Sequence, residues 1–197
     1  MNPVPLVTPH LFIALPIADD VKLQVEERTK VLREHVSFRK WTHPQDLHIT
    51  LKFLGATPSE KIADIHSLLL DIAEHYAPIS LSLSDLGTFG LPVSPRVLWT
   101  RVGGEMERLF SLQRDIEHKL ERIGFAKENR PYSPHVTLAK QYVGADSPEE
   151  LLMAIAKSTW QPPLSWPGMD IVLFESHPGK SPMYEALARF PLLKGNQ

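Results

Sequence analysis

Two short stretches of the 197-residue chain carry the residue types needed to move protons at neutral pH. They are His48-Ile49-Thr50-Leu51 and His135-Val136-Thr137-Leu138. On a strand, residues two apart point the same way, so each histidine projects beside its threonine. Ile49 and Leu51, or Val136 and Leu138, then point into a packed layer. The nine histidines and nine threonines of the chain give about 0.4 chance matches to His-x-Thr. Requiring Ile, Leu or Val between them and Leu afterwards lowers that to about 0.01. If both polar faces meet in one cleft, it holds two imidazoles and two hydroxyls. A neutral imidazole can take a proton from water while an imidazolium gives one to a leaving oxygen. The ordinary histidine pKa, about 6.5, makes both forms accessible near neutrality. Threonine hydroxyls can donate to the non-bridging oxygens of a phosphate as charge grows on them. The chemistry that suits such a cleft is cleavage of a strained cyclic phosphoester without a metal.

The surrounding pattern supplies the elements that must position these residues. Leu11–Leu15 is a short apolar run before Pro16 and reads as a buried strand. Asp19 to His35 fits a helix imperfectly, with Asp19 or Asp20 as its cap. Leu47–Leu54 alternates as a strand and ends at Gly55, and Thr57-Pro58-Ser59-Glu60 has the composition of a helix start. Ile62, Ile65, Leu68, Leu69 and Ile72 recur at helical spacing. Ile79–Leu86 alternates with a period of two, and Val97–Val102 forms a further strand broken by Gly103-Gly104. A helix through Met106, Leu109, Leu112, Ile116 and Leu120 runs to Gly124. Pro134–Tyr142 reads as a strand, Pro148–Lys157 as a helix, and Met169–Glu175 and Tyr184–Phe190 as closing strands. Helices and strands are mixed without strict alternation, which predicts an α+β fold. The repeated motif predicts two related halves of about 90 residues in a single domain spanning 1–197.

Composition removes several function classes. Hydrophobic residues make up 43% and charged residues 22%, as in an ordinary globular protein and unlike a disordered one. No apolar run reaches the roughly 18 residues of a membrane span. Met1 to His10 has neither the basic region nor the cleavage site of a secretory leader, so a cytoplasmic location is expected. The absence of cysteine excludes disulfides, thiolate catalysis and cysteine-ligated zinc. A net charge of −2 argues against coating a long duplex but leaves room for gripping the end of a strand. No His-Glu-x-x-His spacing for a catalytic metal and no Gly-x-Ser-x-Gly elbow occurs.

The paired motifs resemble those of the 2H phosphoesterases, and within them the bacterial RNA 2′,3′-cyclic phosphodiesterases, also called 2′-5′ RNA ligases. The likeness extends from LFIALP through DLHITLKFLG, LGTFGLPVSPRVLWTRV and NRPYSPHVTLAK to IVLFESHPGKSPMYEALARFPL, nearly the whole chain. It implies a bilobal α+β fold of two pseudo-symmetric antiparallel sheets, helices outside and a cleft between. It implies His48 as proton donor, His135 as proton acceptor, and Thr50 and Thr137 as the groups that hold the phosphate. The implied reaction opens a terminal 2′,3′-cyclic phosphate to a 2′-phosphate, with joining of 2′-5′ linkages as the same chemistry in reverse. No cofactor or metal is implied, and no obligate protein partner.

The residues around the motifs leave choices open. Alternation places Lys52 on the face of His48 and Thr50, and Lys140 on the face opposite His135. Arg130, in the loop before the second motif, is the better candidate for binding an anion. Phe12 and Tyr132 could stack on a base, although Phe12, inside an apolar strand, also suits core packing. His10 and His177 flank strands and could reach the cleft, whereas His43, His66, His75 and His118 fall in a loop or on helices. The expected partner is RNA ending in a 2′,3′-cyclic phosphate. A small cyclic nucleotide such as an ADP-ribose cyclic phosphate, or a binding module without turnover, are the alternatives.

Overall fold

The computed structural model describes residues 8–158 and 160–193. The opening segment Met1–Val7, on which the expectation of no leader rests, lies outside them. Among the described residues nine strands and four α-helices follow in the order β1 (His10–Pro16), α1 (Asp19–Leu32), β2 (Phe38–Trp41), β3 (His48–Ala56), α2 (Ile62–Glu74), β4 (Ile79–Leu91), β5 (Ser94–Gly104), α3 (Met106–Arg122), β6 (His135–Tyr142), α4 (Pro148–Lys157), β7 (Leu164–Gly168), β8 (Asp170–Ser176) and β9 (Tyr184–Pro191). They form two antiparallel sheets, ordered β3-β1-β8-β9 and β2-β6-β5-β4-β7. No helix among the described residues is long and apolar enough to cross a membrane.

The two lobes are not the two halves of the chain. The sheet bearing His48 takes its strands from both ends, and the sheet bearing His135 takes the middle plus β2. β1 is apolar at nearly every position because both of its faces are covered. Leu11, Ile13 and Leu15 enter the main core, which also draws on both sheets and all four helices. Phe12 and Ala14 enter a smaller cluster with Val172 and Phe174 on the other side.

Several local expectations are corrected. Ala18 occupies the cap of α1 and no side chain caps it, while Asp19 and Asp20 sit in the first turn, where they favour the positive end of the helix. The helix stops at Leu32, short of His35. Thr57–Glu60 leads into a 3-10 turn over Ser59–Lys61 before α2 begins. β2 and β7 are too short for alternation to reveal, and β4 and β5 continue past the periodic segments into a long hairpin.

Both motif strands depart from strict alternation in register. On β3, Thr50 faces Ala14 and Lys52 faces Ile13, so Leu51 is one residue more than its partner strand matches. On β6, Thr137 faces Trp99 and Ala139 faces Leu98, and Leu138 is the extra residue. An extra residue reverses which face every later side chain takes. Lys52 therefore turns into the core, 3% exposed, and Phe53 turns out to the face of His48. In the second strand the same device buries Ala139 and returns Lys140 to the face of His135 and Thr137. Both lysines thus occupy faces opposite to those that strict alternation assigns.

Buried Lys52 needs a counter-charge. Its Nζ donates to Glu117 of α3 at 3.0 Å and to the carbonyl of Ala126 at 2.6 Å. Glu117, 7% exposed, also accepts from Gln113 Nε2 at 3.4 Å and from the Glu128 amide at 3.4 Å. The pair fastens β3, α3 and the loop after α3 to one another. Lys52→Met should strand the Glu117 carboxylate and cost about 3–5 kcal/mol in urea unfolding. Lys52→Met combined with Glu117→Leu should regain most of that loss, since an apolar pair of similar volume replaces a buried ion pair with little penalty.

Candidate active site

The two motif strands meet at the seam between the sheets. β3 and β6 are in contact. Across the seam, the Tyr132 hydroxyl donates to the Thr50 carbonyl at 3.0 Å. Thr42, just beyond β2, donates its amide to the Leu138 carbonyl at 2.9 Å. The two histidines are close enough for His135 to act electrostatically on His48.

Each imidazole is held in the same way. Nδ1 of His48 lies 2.7 Å from the carbonyl of Asp46, and Nδ1 of His135 lies 2.8 Å from the carbonyl of Ser133. A carbonyl only accepts, so Nδ1 carries the hydrogen in both rings and the neutral form leaves Nε2 as the reactive nitrogen. Nε2 of His48 is 3.0 Å from the Thr50 hydroxyl, which donates to it. Nε2 of His135 has no hydrogen-bond partner among the described residues. Thr137 sits beside His135 on the same face, opposite Trp99.

The surroundings of the two rings differ. His48 packs against Phe12 at 4.9 Å, Tyr184 at 5.2 Å and Phe174 at 6.1 Å between ring centroids. This burial takes its pKa down to about 4, with the charges of Lys140 and His135 adding to the effect and the Asp46 carbonyl opposing it. His135 lies against Phe89 and Trp99, more open to the cleft. Trp99 can lie there because Gly87 is opposite, where a Cβ would overlap the indole.

Beside the motifs opens a cleft of about 720 Å³. Thr50, Phe53, His135, Tyr132 and Arg130 are among its walls, so the anion candidate Arg130 is placed at the site. Phe12 is 3% exposed and stacked on Phe174, so it backs His48 and offers no open platform to a base. Tyr132 is tied down by its hydroxyl bond and its edge contact with Phe110. Among the described residues the cleft's open aromatics are Phe53, 63% exposed, and Phe89 on the β4–β5 hairpin, 37% exposed; Phe53 lies on the face of His48. Sequence reading missed it because only the bulge brings it to this face. His177 pairs with Glu185 at 3.0 Å on the β8–β9 hairpin, and His43 accepts from the Gln45 amide to cap a 3-10 turn. Neither they nor His10 lines the cleft, whereas His118 does. No group of three or more His, Asp or Glu side chains is arranged to hold a metal among the described residues.

Asp46 was also missed. Its carboxylate is buried and accepts from the Met183 amide at 2.8 Å and the Tyr184 amide at 3.0 Å, while its own carbonyl holds His48. It joins the start of β9 to the start of β3. Asp-x-His in the first motif matches Ser-x-His in the second, but nothing in that spacing reveals the bond to β9.

The low pKa of His48 gives a pH dependence with a definite sign. Folding takes the ring from about 6.5 to about 4, so the folded chain binds fewer protons between those values. Stability from this group is fully present above about pH 6.5 and declines as pH falls toward 4. Ring-proton NMR of the unliganded protein should show His48 titrating near 4, and His48→Gln should flatten the acid loss of stability. Asp46→Ala should cost about 1–3 kcal/mol by leaving buried amides unpaired, measured by urea unfolding.

Comparison with known proteins agrees with this arrangement. Residues 7–180 match the model of the 2′-5′ RNA ligase superfamily. A protein of Geobacillus stearothermophilus named RNA 2′,3′-cyclic phosphodiesterase is 38% identical over 93% of this chain, which spans only 57% of that relative's length. One of the same name from Bacillus subtilis is 33% identical, over 96% of this chain and 100% of its own. The crystal structure of TT0787 of Thermus thermophilus superposes with a TM-score of 0.70 at 27% identity, covering 95% of this chain and 100% of that one. Escherichia coli LigT, solved with 3′-AMP, shares the fold with a TM-score of 0.71 at 24% identity, over 94% of this chain and 99% of its own. With the family model matched over most of its length and both His-x-Thr strands meeting at one seam, the chain belongs to the 2′-5′ RNA ligase superfamily.

Proposed function

We propose that the protein hydrolyses RNA 2′,3′-cyclic phosphate ends to 2′-phosphates by acid–base catalysis between His48 and His135, without a metal. The observation that carries this reading is the matched setting of the two rings. Each has Nδ1 fixed by a carbonyl two residues earlier, a threonine on the same face, and Nε2 as the nitrogen that carries no hydrogen in the neutral ring. In the proposed step, His135 Nε2 takes a proton from water as the water oxygen bonds to phosphorus. The bond from phosphorus to O3′ breaks, and His48 Nε2 delivers a proton to O3′. The phosphate stays on O2′, and solvent exchange resets both rings. Thr50 and Thr137 donate to the non-bridging oxygens, where negative charge increases.

An acid with a pKa near 4 is neutral in the empty site at pH 7. The substrate supplies what is missing, because a phosphodiester anion beside the ring favours its charged form. Substrate binding and protonation of His48 are thus coupled. If a 5′-hydroxyl takes the place of water, the same bond changes leave a 2′-5′ linkage, and the ligation direction follows from the same groups. The name carried by the Bacillus subtilis relative supports RNA as the substrate.

An oligoribonucleotide ending in a 2′,3′-cyclic phosphate, incubated in excess EDTA, should be opened to the 2′-phosphate. His48→Ala and His135→Ala should each lower the rate by about 10²–10⁴. Retention of more than half the activity in either variant, or activity that EDTA abolishes and zinc restores, overturns the mechanism.

A further inference from the structure

The cleft is larger than the catalytic groups require. Thr50 and His135 stand at its catalytic part, and the remainder extends between the β4–β5 hairpin, the exposed side of α3 and the loop 127–133. Its volume of about 720 Å³ lies in the upper part of the roughly 300–1,000 Å³ typical of small-molecule sites. Three arginines stand along this extension. Arg96 comes from β5, Arg114 from α3 and Arg130 from the loop, and none has a carboxylate partner among the described residues. Arg114 donates only to the Ser111 hydroxyl, at 3.0 Å.

The other charges in the wall are largely neutralised. Lys127 is paired with Glu121 at 2.7 Å. Glu117 is matched by the inward-turned Lys52, so the bulge on β3 also removes a negative charge from the cleft. Glu128 remains as the one lining carboxylate not matched in this way. Three guanidiniums without a carboxylate partner among the described residues thus line one cleft from separate elements, in a chain whose net charge is −2. Arginine forks fit phosphate oxygens in pairs and retain their charge at any accessible pH.

A cyclic mononucleotide brings a single phosphate, and the two threonines occupy it. A longer RNA end brings a second phosphate, the phosphodiester joining the terminal nucleotide to the one before it. We propose that the wall formed by Arg96, Arg114 and Arg130 binds this upstream phosphodiester, so that the preferred substrate is an RNA end of at least two nucleotides. The inference rests on the phosphodiesterase reading of the site. It selects between two substrates that the motifs alone treat alike.

The test compares adenosine 2′,3′-cyclic phosphate with the diadenylate that carries the same cyclic end. The unmodified protein should show a kcat/KM at least about tenfold higher for the dinucleotide, the worth of one charge-assisted phosphate contact. On a plot of log kcat/KM against log salt, the dinucleotide should fall more steeply by about 0.7, the increment for one phosphate of a single strand. In Arg96→Ala/Arg114→Ala the preference should shrink toward one and the extra salt slope should vanish. Arg96→Gln and Arg114→Gln, made singly, should each reduce the preference in part and give the same reading should the double variant fold poorly. A preference near one in the unmodified protein, or one that survives these variants, overturns the subsite. Turnover of neither substrate overturns the phosphodiesterase reading itself and the subsite with it.

Discussion

A β-strand offers its side chains to alternate faces, and one extra residue reverses every face that follows. Both motif strands contain such a residue immediately after the threonine, Leu51 in β3 and Leu138 in β6. Before the bulge, each strand presents its histidine and threonine together. After it, β3 sends Lys52 inward and Phe53 outward, while β6 buries Ala139 and turns Lys140 to the face of His135. The repeated geometry and the unequal residues that follow it make the two sides of the site chemically different. One side gains an aromatic surface and the other a cation that acts on His48.

Rigidity at the seam comes from bonds that do not involve the reacting atoms. The carbonyls of Asp46 and Ser133 set the tautomer of each ring, and the bond from Tyr132 to Thr50 fixes the second motif's approach to the first. The Asp46 carboxylate takes amides from the start of β9, so the C-terminal hairpin is joined to the start of β3. Lys52 and Glu117 do the same for the loop that carries Arg130. A group held by several such bonds loses little orientational freedom when substrate arrives, which is where much of the advantage of a preformed site lies.

The aromatic wall around His48 has a chemical cost and a use. It keeps the ring neutral in the empty site, so the acid role proposed for His48 needs an anion beside the ring, and it excludes water that would weaken that anion's field. The proton on His48 is then tied to the presence of an anion. His135, against Phe89 and Trp99 at the cleft edge, is reachable by water.

Much of this was legible in the residue order. Periodicity located β3, α2, α3 and the core of the central hairpin, because burial on one side imposes its period on the sequence directly, whereas β1 showed as an unbroken apolar run because both of its faces are covered. The shared face of each His-x-Thr pair was legible, since that spacing is local and lies before either bulge. The faces of Lys52 and Lys140 were not legible, because a bulge changes register without a distinctive residue to mark it. The interleaving of the lobes was hidden for a similar reason: strand pairing depends on which edges meet, and β2 and β8 pair with strands far away in the chain. Asp46, Phe53 and the convergence of Arg96 with Arg114 and Arg130 belong to the same class. By itself the sequence determined which groups can react, through short-range alternation. Only the tertiary structure decided what surrounds them, because the environment of each ring is assembled from segments that share no local pattern.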